Sequence, residues 1–147
     1  MKFIIESKKS KKEIVQILLE NTSEHKSVFF RQYDEFFSGK ILDDSFKIWR
    51  NISYRNSFLP VILGNLETTE DGCKIYIKTR MCIFVLVFLS IWFTGVIGAC
   101  LITPFCKFPM PYAFIPYIML IFGILIVTIP NKIETKKAKE KLEELLK

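Results

Sequence analysis

The chain has 147 residues, half of them apolar, and a net charge of +6. Met1–Arg80 carries 14 Lys and Arg against 11 Asp and Glu, and Asn131–Lys147 carries 6 against 4, so polar ends flank a nearly uncharged middle. The ends leave room for one small core, and the lysines alternate with acids rather than forming the dense stripe expected of a nucleic-acid-binding protein.

Lys2–Ser7 (KFIIES) reads as a short strand. Ser10-Lys11-Lys12-Glu13 is a capping box, in which the serine hydroxyl accepts from the N3 amide and Glu13 reaches back to the serine amide. It predicts a helix from Lys11 to about Asn21, with Ile14, Val15, Ile17, Leu18 and Leu19 forming one buried stripe. Asn21-Thr22-Ser23 ends that helix. Ser27–Tyr33 is rich in aromatic and β-branched residues and reads as a strand. Phe36–Leu42 and Ser45–Ser53 flank Asp43-Asp44 as a hairpin. In its second arm Phe46, Ile48, Ile52 and Tyr54 share one side, interrupted by Arg50, while Lys47, Trp49, Asn51 and Ser53 share the other. Leu59–Leu66 follows, with Pro60 at its start or on an edge. The turn signal Asp71-Gly72 leads into Cys73–Arg80. The predicted fold class is α+β: a small antiparallel sheet in domain 1–80, with one N-terminal helix covering one face.

Met81–Pro130 carries Lys107 as its only formal charge. The break at Pro104–Pro111 divides it into apolar runs at about 81–103 and 112–130, each long enough to cross a hydrocarbon core of about 30 Å. The stretch reads as a transmembrane helical hairpin. Lys74, Lys78 and Arg80 precede it and Lys132, Lys136 and Lys137 follow it, so the positive-inside rule predicts a multi-pass cell-membrane protein with both termini cytoplasmic. Phe3-Ile4-Ile5 is too short for the apolar region of a signal peptide. Residues 131–147 read as a separate charged amphipathic helix with Ala138, Leu142, Leu145 and Leu146 on one side. The surfaces open to it are domain 1–80, the lipid headgroups or a second copy.

Cys73, Cys82, Cys100 and Cys106 lack metal-ligand spacing and read as free thiols, with a bridge through Cys106 as the alternative. Arg50, Arg55 and Asn56 lie in or beside a connector where a guanidinium can hold phosphate or carboxylate; the alternative is that they satisfy the corner itself. Lys8, Lys9, Lys11 and Lys12 oppose the dipole at the helix start, and attraction to anionic lipid competes with a merely solvated face. Ser90, Thr94 and Gly98, with Gly95 beside them, form a small-residue stripe suited to packing on the second span near Gly123, or on a second copy. Tyr112 and Tyr117 suit the outer interface, and Trp92 falls near mid-span. Neither span holds an ionisable residue, against ion or proton transport.

His25 stands alone, and the acid pairs Asp34/Glu35 and Asp43/Asp44 would face opposite sides of a strand. No phosphate-binding glycine loop, zinc-protease motif or nucleophile elbow is present. No cofactor, metal or catalytic residue is expected.

Phe37-x-Gly39-x-Ile41 and the run Tyr54–Gly64 (YRNSFLPVILG) resemble small bacterial two-helix membrane proteins of no assigned activity, in which a β-rich domain precedes the helices. More distantly the layout looks like helix-grip lipid-binding folds or pleckstrin-like membrane domains. The resemblance transfers no functional residue. The expected function is a non-enzymatic integral membrane protein whose cytoplasmic domain binds a protein partner or the lipid surface. The alternatives are an accessory or immunity-like protein acting through its hairpin and a membrane-associated enzyme.

Overall fold

The computed structural model describes residues 1–24, 35–54, 56–106 and 109–147. The strand read at Ser27–Tyr33 lies outside them, as do His25, Asp34, Arg55 and Lys107. β1 (Lys2–Ser7) leads through the Ser10 cap into α1 (Lys11–Glu20), and β2 (Thr22–Glu24) follows at once. Then come β3 (Phe37–Ile41), β4 (Ser45–Arg50), β5 (Val61–Thr69) and β6 (Gly72–Arg80).

The strands form one six-stranded sheet in the order β1-β6-β5-β4-β3-β2. Every pairing is antiparallel except β2 with β3, which is parallel. The sheet is therefore mixed, and the purely antiparallel expectation is corrected. The cause is topological: β1 and β2 occupy opposite edges, so the chain between them must cross a face, and α1 makes that crossing. Asn21 closes α1 with its side-chain amide on the Ile17 carbonyl, and its own carbonyl accepts from Phe37 N, tying the helix end to β3.

Both halves of the capping box form: Glu13 N donates to Ser10 Oγ at 3.4 Å and Ser10 N to Glu13 Oε2 at 2.7 Å. The Ser10 backbone amide, helped by its hydroxyl, holds the Glu13 carboxyl below the usual glutamate range. That contribution is present above the ordinary value and is lost as pH falls through the lowered one. Ser10→Ala is expected to cost about 1 kcal/mol, seen as a lower midpoint in chemical denaturation.

Alternation puts Ile5, Ile48, Ile62, Ile75 and Ile77 on one face, where they join Ile14 and Leu18 of α1 in a single buried cluster. Two glycines serve the register. At Gly39, φ is +153° and a Cβ would collide with the Lys47 carbonyl of the neighbouring strand. At Gly64 the ring of Phe46 occupies the place of a side chain.

After β6 only Met81 and Cys82 precede α2 (Ile83–Ile102); a 3-10 turn (Thr103–Phe105) and α3 (Met110–Ala113) lead to α4 (Ile115–Leu146). Here the structure departs from the sequence reading. No break separates a span ending at Pro130 from a tail helix; α4 is one rod of 32 residues, about 48 Å long at 1.5 Å per residue. Pro130 removes one amide donor, but the Lys-, Glu- and Leu-rich segment beyond it favours helix and is held by packing. Ala138, Leu142 and Leu146 belong to the same buried cluster as α1 and the sheet, with Leu145 packed beside them.

α2 and the first part of α4 are long and apolar enough to cross a membrane. They meet where the Trp92 ring lies against Gly123, and where Tyr117 OH donates to the Cys100 carbonyl at 2.9 Å. Val96 and Val127 are buried, whereas Ser90, Thr94 and Gly95 are exposed. The small-residue stripe is thus not the seam, and Gly95 and Gly98 have open space at their Cβ positions. Its hydroxyls are satisfied within α2, Ser90 on Leu86 O and Thr94 on Ser90 O, both at 2.8 Å. Gly123 is the one residue of that set at the contact, where its missing side chain admits the indole.

Candidate functional site

Arg50 ends β4 on the covered face, opposite Phe37 of β3. Four residues past Pro130, α4 places Glu134 over that position. Arg50 Nη1 lies 2.8 Å from Glu134 Oε2, with side-chain exposures of 12% and 2%. The Tyr54 hydroxyl donates to Glu134 Oε1. That hydrogen bond, with burial second, pushes the tyrosine above its ordinary range. Arg50 Nη1 and Glu134 Oε2 meet outside hydrogen-bond geometry, so charge more than alignment holds the pair. The Phe36 ring lies 5.4 Å from the guanidinium and 5.9 Å from Lys141 Nζ. Nearby, Asn131 Nδ2 reaches the Phe58 carbonyl at 3.5 Å. The arrangement is a joint between the end of the apolar part of α4 and the sheet.

The joint takes Arg50 out of the candidate anion sites, because its counter-ion comes from α4. Asn56 is also used locally: its Oδ1 accepts from Phe58 N at 2.9 Å and its carbonyl from Leu59 N. Lys8, Lys9, Lys11 and Lys12 follow Ser7, which pairs with Cys73 at the start of β6. The nine residues of β6, at about 3.3 Å each, separate that end from the entry into α2. Lys11 is paired with Asp44. The lysine cluster therefore sits at the end of the sheet far from the apolar helices, a fact only the register reveals.

The register also brings together residues that sequence reasoning left scattered. On the sheet face opposite α1 and α4, Lys2 pairs with Lys78, Lys78 with Leu63, Leu63 with Lys47, and Lys47 with Lys40. One row across five strands thus carries four lysines. The neighbouring row toward α2 holds Arg80, Val61 and Trp49. Two rows the other way stand Lys74, Glu67 and Glu6, where Lys74 pairs with Glu6 at 2.8 Å. A groove of about 920 Å³ runs over this face, lined by the lysine row and by Ile4, Leu63 and Tyr76 among others. Strand alternation marks Lys47 and Lys78 as outward-facing, but nothing local says that they share a row.

No protein-family model, curated protein or solved structure matches this chain. Among the described residues no group of three or more His, Cys, Asp or Glu side chains could hold a metal ion. The four cysteines are free; Cys73 is buried, and burial pushes its thiol up.

Proposed function

We propose that this chain is an integral membrane protein whose α+β domain is a non-enzymatic binding module on the cytoplasmic side. One observation carries the reading. The two most apolar helical stretches bury only 6% and 11% of their residues inside the protein, whereas the core helix of a soluble fold would be mostly buried. Phe84, Phe88, Ile91, Phe122 and similar residues are more than half exposed, an apolar surface far larger than soluble monomers tolerate. Pro130 near the end of the span fits the same solvent, since prolines are accepted in membrane helices. Lys74, Lys78 and Arg80 before α2, with Lys132, Lys136 and Lys137 along α4, favour cytoplasmic termini. The open sheet face is the binding surface, because the other face is filled by α1 and α4.

Two measurements test this. The chain is expected to resist extraction from membranes by alkaline carbonate. An impermeant maleimide is expected to label Cys106, which is exposed, in intact cells. Cys73, 1% exposed, would escape labelling on either side and cannot report orientation. A Lys12→Cys reporter in a Cys106→Ser background is the right probe, and it is expected to react only after permeabilisation. Its labelling in intact cells would overturn the orientation.

A further inference from the structure

We propose that the row Lys2, Lys78, Lys47 and Lys40, with Arg80 beside it, is a docking surface for the phosphates of anionic phospholipids in the leaflet from which α2 and α4 emerge. The proposal rests on the membrane placement above and adds the ligand and the residues. Three observations lead to it.

The first is a repulsion without local compensation. Lys2 faces Lys78 directly across one strand pair, and Lys40 faces Lys47 across another. Like charges in directly opposed positions destabilise a sheet. All four lysines and Arg80 are exposed, and among the described residues none has an ion pair. A row of cations held so close is relieved by an anion lying along it.

The second is the polarity of the face. Along β6 the cations Lys78 and Arg80 stand at the end nearest α2, and the carboxylates Glu6 and Glu67 stand beside Lys74 at the other end. Glu6 is already engaged by Lys74, and Glu67 stands directly opposite the same lysine across the β5–β6 pair. Among the described residues, the positive end is therefore not neutralised from within the face.

The third is distance. Lys78 is five residues before Ile83, the first residue of α2, so the row stands at most about 17 Å from the helix start even with that link fully extended. Lysine side chains shorten the gap further, and the field of an anionic leaflet extends about one Debye length, about 8 Å, beyond its surface. Arg80 and Trp49 occupy the row between, residue types suited to the headgroup layer. The lysine cluster at 8–12, at the far end of the strands, lies outside that field.

The test compares two variants of the full chain purified in mild detergent. One replaces the row (Lys2→Gln, Lys40→Gln, Lys47→Gln, Lys78→Gln), and the other replaces the distal cluster (Lys8→Gln, Lys9→Gln, Lys11→Gln, Lys12→Gln). Binding of phosphatidylglycerol against phosphatidylcholine is read by native mass spectrometry. Wild type is expected to prefer phosphatidylglycerol, and the row variant to lose about fivefold per lysine removed, while the distal variant binds like wild type. Removing like-charge pairs should leave the denaturation midpoint of the row variant unchanged or higher, so lost binding is not lost folding. Equal binding by all three proteins, or equal loss in both variants, overturns the proposal. Row-dependent binding of a polyglutamate peptide in preference to phosphatidylglycerol also overturns it, in favour of an acidic polypeptide. Extraction of wild type by carbonate overturns the membrane placement itself, whereas a retained chain with no lipid preference overturns only the row.

Discussion

Arg50→Ala is expected to lower the unfolding free energy of the sheet domain by about 3–5 kcal/mol, a large part of the 5–15 kcal/mol typical of a small domain. Glu134 is 2% exposed and lies against Arg50. Without the guanidinium its carboxylate would keep, among the described residues, only the Tyr54 hydroxyl, in a site that water scarcely reaches. The cost is that of a stranded charge, not the worth of the pair. The double replacement Arg50→Met, Glu134→Leu is therefore expected to regain most of the loss, because both desolvation penalties disappear together. Tyr54 would lose its acceptor, but at 48% exposure water can replace it. Denaturation of the full chain in mild detergent, followed by far-ultraviolet circular dichroism, measures all three proteins. A single-variant loss within 0.5 kcal/mol, the usual range of surface substitutions, would show that the joint does not hold α4 to the sheet.

That joint illustrates what the sequence could and could not disclose. Arg50 is visible as an interruption in the Phe46–Ile48 stripe, yet its counter-ion lies on another helix and no local pattern links them. Local signals carry through to the structure: the capping box at Ser10–Glu13, the alternation in β6 and the apolar length of α2 all appear at the residues that encode them. Long-range features have no such local signal. Continuity of α4 through Pro130 was hidden by a proline and an abrupt change of composition, both of which suggest a boundary. The parallel edge strand β2 depends on where α1 lands, which periodicity does not encode. The lysine row needs the register of four strand pairs at once. The Ser90, Thr94 and Gly95 stripe misled because small size permits close helix packing without requiring it, and here Trp92 against Gly123 sets the contact.

Leu142→Ala is expected to cost about 2–5 kcal/mol, comparable with the loss of a central sheet residue although it lies beyond the apolar spans. Leu142 is 0% exposed and shares the buried cluster with Ile14, Leu18 and Ile75. Its removal should leave a cavity, since rigid strands on one side and α1 on the other limit collapse. Glu140→Ala, two residues away on the exposed side of the same helix, should stay within 0.5 kcal/mol. That contrast separates loss of core packing from loss of helix propensity, because alanine favours helix at both positions. Denaturation midpoints in mild detergent provide the measurement, with hydrogen exchange of the β1 and β6 amides as a second readout. If Leu142→Ala matched Glu140→Ala, the last turns of α4 would be only resting on the sheet. The expected difference instead makes α4 a shared element, whose N-terminal part packs on α2 and whose C-terminal part completes the sheet's core. The Arg50–Glu134 pair stands where the two roles meet.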